Sequence, residues 1–122
     1  MATILIVDDS PTVRRMLEFT LRKQGYTVLA AMNGREALAQ LAETAVDLVI
    51  SDVSMPELDG IALLQQIRAD ARWQGLPVIM LTVSGQVQDK LEAQQHGADG
   101  FLTKPASSSE LIETVAGFIL KK

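Results

Sequence analysis

Leu48-Val49-Ile50-Ser51-Asp52-Val53-Ser54-Met55-Pro56-Glu57-Leu58-Asp59-Gly60 decides the fold. A short apolar run bounded by turn residues reads as a buried strand. This one closes on Asp52, and the segment after it carries Pro56 and Asp59-Gly60. Three other runs end in the same way. Ile4-Leu5-Ile6-Val7 stops at Asp8 and Asp9, Val78-Ile79-Met80-Leu81 at Thr82, and Phe101-Leu102-Thr103 at Lys104-Pro105. Strands that each end in a polar, chemically competent residue point to one site at one edge of a sheet. That site would hold three carboxylates, a hydroxyl and an amine.

Between the strand runs lie helical patterns, and strict alternation marks a parallel α/β sheet with right-handed crossovers. The strands are expected at Ile4–Val7, Thr27–Ala31, Leu48–Ser51, Val78–Leu81 and Gly100–Thr103. The first helix starts near Pro11, turns Val13, Met16, Leu17, Thr20 and Leu21 inward, and stops at Gly25. The second spans Glu36–Glu43 with Ala37, Leu38 and Leu41 inward. The third spans Gly60–Ala69 with Ile61, Leu64 and Ile67 inward. The fourth, about Gln86–His96, is poorest in apolar residues. The last begins at the capping box Ser107-x-x-Glu110 and buries Leu111, Ile112, Val115 and Ile119. In such sheets ligands bind beyond the carboxyl ends of the strands, where strand order reverses.

Composition sets the bounds. The 122 residues suit one domain, and 48% apolar with 21% charged residues is ordinary for a soluble globular chain. There is no apolar run near the ~18 residues of a membrane span and no secretory signal pattern, so a cytoplasmic protein without membrane contact is expected. Without cysteine there is no disulfide or thiolate chemistry. A net charge of −4, scattered basic pairs and few aromatics argue against direct nucleic-acid binding.

Taken singly, a strand-end aspartate is a helix cap or a turn residue. Four strand ends together say more. Carboxylates ~4 Å apart repel by roughly 4 kcal/mol at an effective dielectric of 20, so three in one cleft need counter-charge. Lys104 supplies one positive charge. An all-oxygen ligand set suits Mg²⁺ for the rest. One aspartate then remains to attack phosphorus and form an acyl phosphate, while Lys104 and Thr82 meet the phosphoryl oxygens.

With those residues placed, the chain resembles the receiver domains of two-component response regulators, above all the single-domain, chemotaxis-type regulators. The resemblance runs from Ile4 to the last helix. It rests on Asp8-Asp9-Ser10, Asp52-x-x-Met55-Pro56-x-x-Asp59-Gly60, Thr82 and Lys104-Pro105. It implies one receiver domain over residues 1–122. The implied fold is a flavodoxin-like (βα)5 three-layer sandwich with sheet order 2-1-3-4-5. It implies Asp52 as phosphoacceptor and Asp8 and Asp9 as Mg²⁺ ligands, with Asp52 and the Ser54 backbone carbonyl completing the protein's share. Thr82, Phe101 and a cis Lys104-Pro105 bond would form the switch. The chain would catalyse only its own phosphorylation and dephosphorylation. Four positions depart from the usual pattern in three ways: Phe101 lacks a tyrosine hydroxyl, Val83 is bulky, and Ser54 and Ser84 are small and neutral where water attack is tuned.

The implied partners are a histidine kinase or phosphotransfer domain, meeting the first helix near Phe19, and a downstream protein. The latter would dock on the fourth helix, fifth strand and fifth helix, near Phe118. His96 is expected on the surface and Trp73 as a loop anchor. With no effector after the last helix, output is expected through protein contact, unless the receiver is excised from a longer protein. An aspartate-nucleophile phosphatase would need a second carboxylate where Ser54 stands, and a nucleotide-binding protein would need a Gly-rich loop after the first strand. A phosphorylation-independent interaction module of the same fold is the remaining alternative.

Overall fold

Successive residues of the first strand point to opposite sides of the sheet, and both sides are dry. Ile4 and Ile6 share a cluster with Leu17, Leu21, Leu111 and Val115, whereas Leu5 and Val7 join Ala37, Leu41, Leu64 and Ile67. A parallel sheet covered on both faces buries its central strands on both sides, which is why those strands read as apolar runs. The computed structural model describes residues 2–119 other than 54, 56, 57, 84–86 and 105.

The order of elements is β1 (Thr3–Val7), α1 (Pro11–Lys23), β2 (Thr27–Ala31), α2 (Gly34–Glu43), β3 (Leu48–Asp52) and α3 (Gly60–Ala69). A short 3-10 helix (Ala71–Trp73) leads to β4 (Val78–Val83), α4 (Val87–Gln95), β5 (Gly100–Lys104) and α5 (Ser108–Ile119). The five strands are all parallel in the order β2-β1-β3-β4-β5. This is the expected sheet, and strand order reverses between β1 and β3. Helices α1 and α5 cover one face, and α2, α3 and α4 the other.

Side-chain caps set the helix starts. Ser10 Oγ accepts the Val13 amide ahead of Pro11, and Asp59 Oδ1 accepts that of Ala62 at the start of α3. Helix α2 begins two residues earlier than expected, because Asn33 caps it by accepting the Glu36 amide while Glu36 reaches back to the Met32 amide. Gly25 adopts the left-handed conformation (φ 93°) that ends the α1 turn.

Five side chains differ from expectation. Met16 is 47% exposed, because the buried stripe of α1 narrows to Leu17 and Leu21. Phe118 is half-buried, since Gly100 leaves room for its ring: a Cβ there would come within 3.0 Å of it. His96 is half-buried against α3, 3.1 Å from Gln65 Nε2. Ile112 and Ile119 of α5 are also half-buried rather than in the core. Phe19 stands out at 66% exposure as expected, and Trp73 packs partly against the core.

Candidate functional site

Register places the site. Asp52 pairs with Leu81, Thr82 with Thr103, and Val83 with Lys104, so β3, β4 and β5 each end in the same layer. Asp52, Thr82 and Lys104 are thus the last residues or nearly the last residues of their strands rather than the first of the loops. Asp8 and Asp9 follow β1, which lies beside β3.

Asp8 is fully buried. Its Oδ1 accepts the Ser10 amide at 2.9 Å, and its own carbonyl accepts Arg14 Nη1 at 2.7 Å. Its Oδ2 lies 2.9 Å from Lys104 Nζ, an ion pair without the direction of a hydrogen bond, and has no hydrogen-bond partner among the described residues. Asp52, also buried, places Oδ2 3.0 Å from the same ammonium. Asp9 is exposed at the mouth. One ligand oxygen from each of Asp8, Asp9 and Asp52 falls within 4.8 Å of the others. Thr82 is buried beside them.

The backbone behind Asp52 is held tightly. Ser51 Oγ donates to the Asp52 carbonyl at 3.0 Å, and the Gly60 amide donates to Val53 at 2.9 Å. A Cβ at position 60 would run into the Asp52 carbonyl oxygen, so the start of α3 can close over β3 only with glycine there. Sequence patterning does not single out Ser51 or Arg14 among these. Ser51 reads there as a polar interruption of a strand, and Arg14 as one of several surface arginines.

Partial burial works against the Lys104 charge, but the close contacts with Asp8 and Asp52 outweigh it and hold its pKa above the ordinary lysine value. The ammonium therefore stays charged, and three carboxylates face one cation. At ~5 Å and an effective dielectric of 20, each carboxylate pair repels by about 3 kcal/mol. The buried Asp8 Oδ2 and the all-oxygen donor set fit a hard divalent cation.

The expected sites at Ser54, Ser84 and Pro105 fall outside the described residues, as does the side chain of Val83. Phe101 is half-buried against the α4 side of the core, with Lys90 Nζ 5.3 Å from its ring centroid.

The family model for the response regulator receiver domain matches residues 4–116. Protein PilH of Pseudomonas aeruginosa is 40% identical over 115 residues, covering 94% of this chain and 95% of PilH. The DNA-binding dual master transcriptional regulator RpaA of Synechocystis sp. is 36% identical over 119 residues, 98% of this chain but 49% of RpaA. The chain thus spans about half the length of that relative. The crystal structure of the chemotaxis response regulator CheY4 of Vibrio cholerae superposes with a TM-score of 0.91 at 37% identity, covering 97% of this chain and 98% of CheY4.

Proposed function

The chain belongs to the response regulator receiver domains of two-component systems, and from that premise we propose that Asp52 takes a phosphoryl group from a phosphohistidine. The observation that carries this reading is the Lys104 ammonium, 2.9 Å from Asp8 and 3.0 Å from Asp52. It sits where charge collects on a phosphoryl group attached to either carboxylate. Asp8 is the poorer nucleophile, because its Oδ1 is tied to the Ser10 amide and its whole side chain is buried.

An Asp52 carboxylate oxygen attacks phosphorus in line with the imidazole nitrogen. The P–O bond forms as the P–N bond breaks, and the imidazole leaves with the electron pair and picks up a proton. Lys104 Nζ holds the negative phosphoryl oxygens, and the Thr82 hydroxyl donates to one of them. Asp8, Asp9 and Asp52, with the Ser54 carbonyl, would hold Mg²⁺, which supplies the remaining charge neutralisation when bound. Hydrolysis returns Asp52 to its carboxylate. Position 54 carries no acid, so turnover of an external phosphoester is not expected.

The donor is a histidine kinase or phosphotransfer domain. A groove of about 290 Å³ runs from Lys104 along Val13, Met16, Leu17, Leu81 and Ala106. It leads from the acid pocket on to α1, where Phe19 is exposed. A donor helix lying there would bring its phosphohistidine to Asp52. Output passes to a protein that docks on α4, β5 and α5, with Phe101 turning inward as Thr82 closes on the phosphoryl group. The setting is cytoplasmic; among the described residues no helix is long and apolar enough to cross a membrane.

Incubation with Mg²⁺ and acetyl phosphate, followed by intact mass, tests the reading. A base-labile phosphoryl adduct that is absent in Asp52→Ala is expected. Adduct formation that survives Asp52→Ala, or steady hydrolysis of an external phosphoester, would overturn it.

A further inference from the structure

Arg68, in the last turn of α3, lies at the edge of the sheet where the strands begin, away from the acid pocket. All five of its N–H directions are used. Nε and Nη2 donate to the Gly97 carbonyl at 3.1 and 3.0 Å, and Nη1 to the carbonyls of Trp73 and Leu76 at 3.2 and 2.7 Å. Nη2 also meets Asp99 Oδ2 at 2.6 Å, and that same oxygen accepts the amide of Val78, the first residue of β4. Gly97 is left-handed (φ 95°), and a Cβ there would stand 3.2 Å from Arg68 Nε. The guanidinium therefore ties together α3, the 3-10 helix, the start of β4, the turn after α4 and the approach to β5.

Helix α4 has little else to hold it. Among its described side chains Ala93 is fully buried, whereas Leu91 is 49% exposed. Beyond Arg68, the Gln65–His96 contact is a second tie, and it falls at the same carboxyl end. The amino end of α4 begins at Val87, five residues after Thr82 in the acid pocket. One end of the helix is connected to the site, and the other is fastened to α3.

We infer that Arg68 is a positioning residue that pins the carboxyl end of α4, so that phosphorylation displaces its amino end and the helix turns about Gly97. The inference rests on the proposed switch at Asp52, whose regulation it specifies. A lever with one fixed end moves its free end in a defined direction. A helix loose at both ends would only become more mobile.

Amide hydrogen exchange on the full chain, with and without acetyl phosphate and Mg²⁺, tests this, with intact mass reporting phosphorylation. In the wild-type protein amides 87–92 change protection on phosphorylation and amides 94–99 do not. Arg68→Ala lowers protection at 94–99 about tenfold before any phosphorylation, the effect of losing one to two net hydrogen bonds. Arg68→Lys keeps the charge opposite Asp99 but lacks the planar fork, and behaves like alanine. Equal change at both ends of wild-type α4 overturns the proposal, as does unaltered protection at 94–99 in Arg68→Ala, or full rescue by lysine. If Arg68→Ala fails to fold, the comparison of the two ends in the wild-type protein decides between a pinned and a free helix. If no adduct forms, the Asp52 reading fails, while exchange in unphosphorylated Arg68→Ala still decides whether the clamp exists.

Discussion

Lys104 faces two buried carboxylates, and its removal leaves the buried Asp8 side chain with the Ser10 amide but no counter-charge. Lys104→Met should cost about 3 kcal/mol in urea denaturation without divalent cation, the low end for breaking a buried pair because lysine is partly exposed. Asp9→Asn works in the opposite direction. It removes one of three like charges at the exposed mouth, and should raise stability by about 1 kcal/mol in the same assay. A second ion pair, far from the site, gives a pH test. The side-chain and backbone N–H groups of Arg72 donate to Asp70 and hold its carboxyl down to about 2, against an ordinary 3.8. The folded value is the lower one, so the pair's contribution is present above pH 3.8 and lost as pH falls through about 2. A carboxyl NMR titration should show that midpoint, and Arg72→Gln should move it back up.

At the scale of elements, two glycines predict opposite outcomes. Gly60→Ala places a Cβ against the Asp52 carbonyl, so β3 and α3 must part; about 1–3 kcal/mol of stability and most of the phosphorylation rate should go with it. Gly117→Ala, in an exposed turn of α5 with nothing within 4 Å of the new Cβ, should stabilise by about 0.5–1 kcal/mol. Urea midpoints for the pair check both signs. The same scale shows what could be read from the chain. Four-residue apolar runs specified buried strands because both faces of the sheet are covered. The carboxyl ends of β3, β4 and β5 ran one or two residues further than expected, since a polar residue paired in the last rungs of a ladder is indistinguishable in sequence from the first loop residue. Asp52, Thr82 and Lys104 are all of that kind. Met16 satisfied the helical period, yet exposure at the rim of a groove depends on how far α5 stands from α1, which periodicity does not contain.

For the whole molecule, strand alternation pointed to one edge of one sheet, and the family resemblance supplied the strand order that sets Asp8, Asp9 and Asp52 side by side there. What the chain did not disclose was support: Ser51 and Arg14 behind the carboxylates, and Arg68 across the sheet. Each acts through backbone carbonyls, which leave no mark in sequence. Cation binding should be visible globally. A ligand that binds only the folded protein, at a hundred times its dissociation constant, adds about 2.7 kcal/mol. Mg²⁺ titration followed by calorimetry should therefore raise the melting temperature of the wild-type protein, and raise it far less in Asp9→Asn.

The contact between Asp8 and Lys104 joins the first strand to the last, across nearly the full span of the polypeptide. A growing chain on the ribosome that has not yet laid down β5 therefore holds its aspartates without their lysine. Under the proposed mechanism, competence to receive a signal then arrives only with the completed sheet.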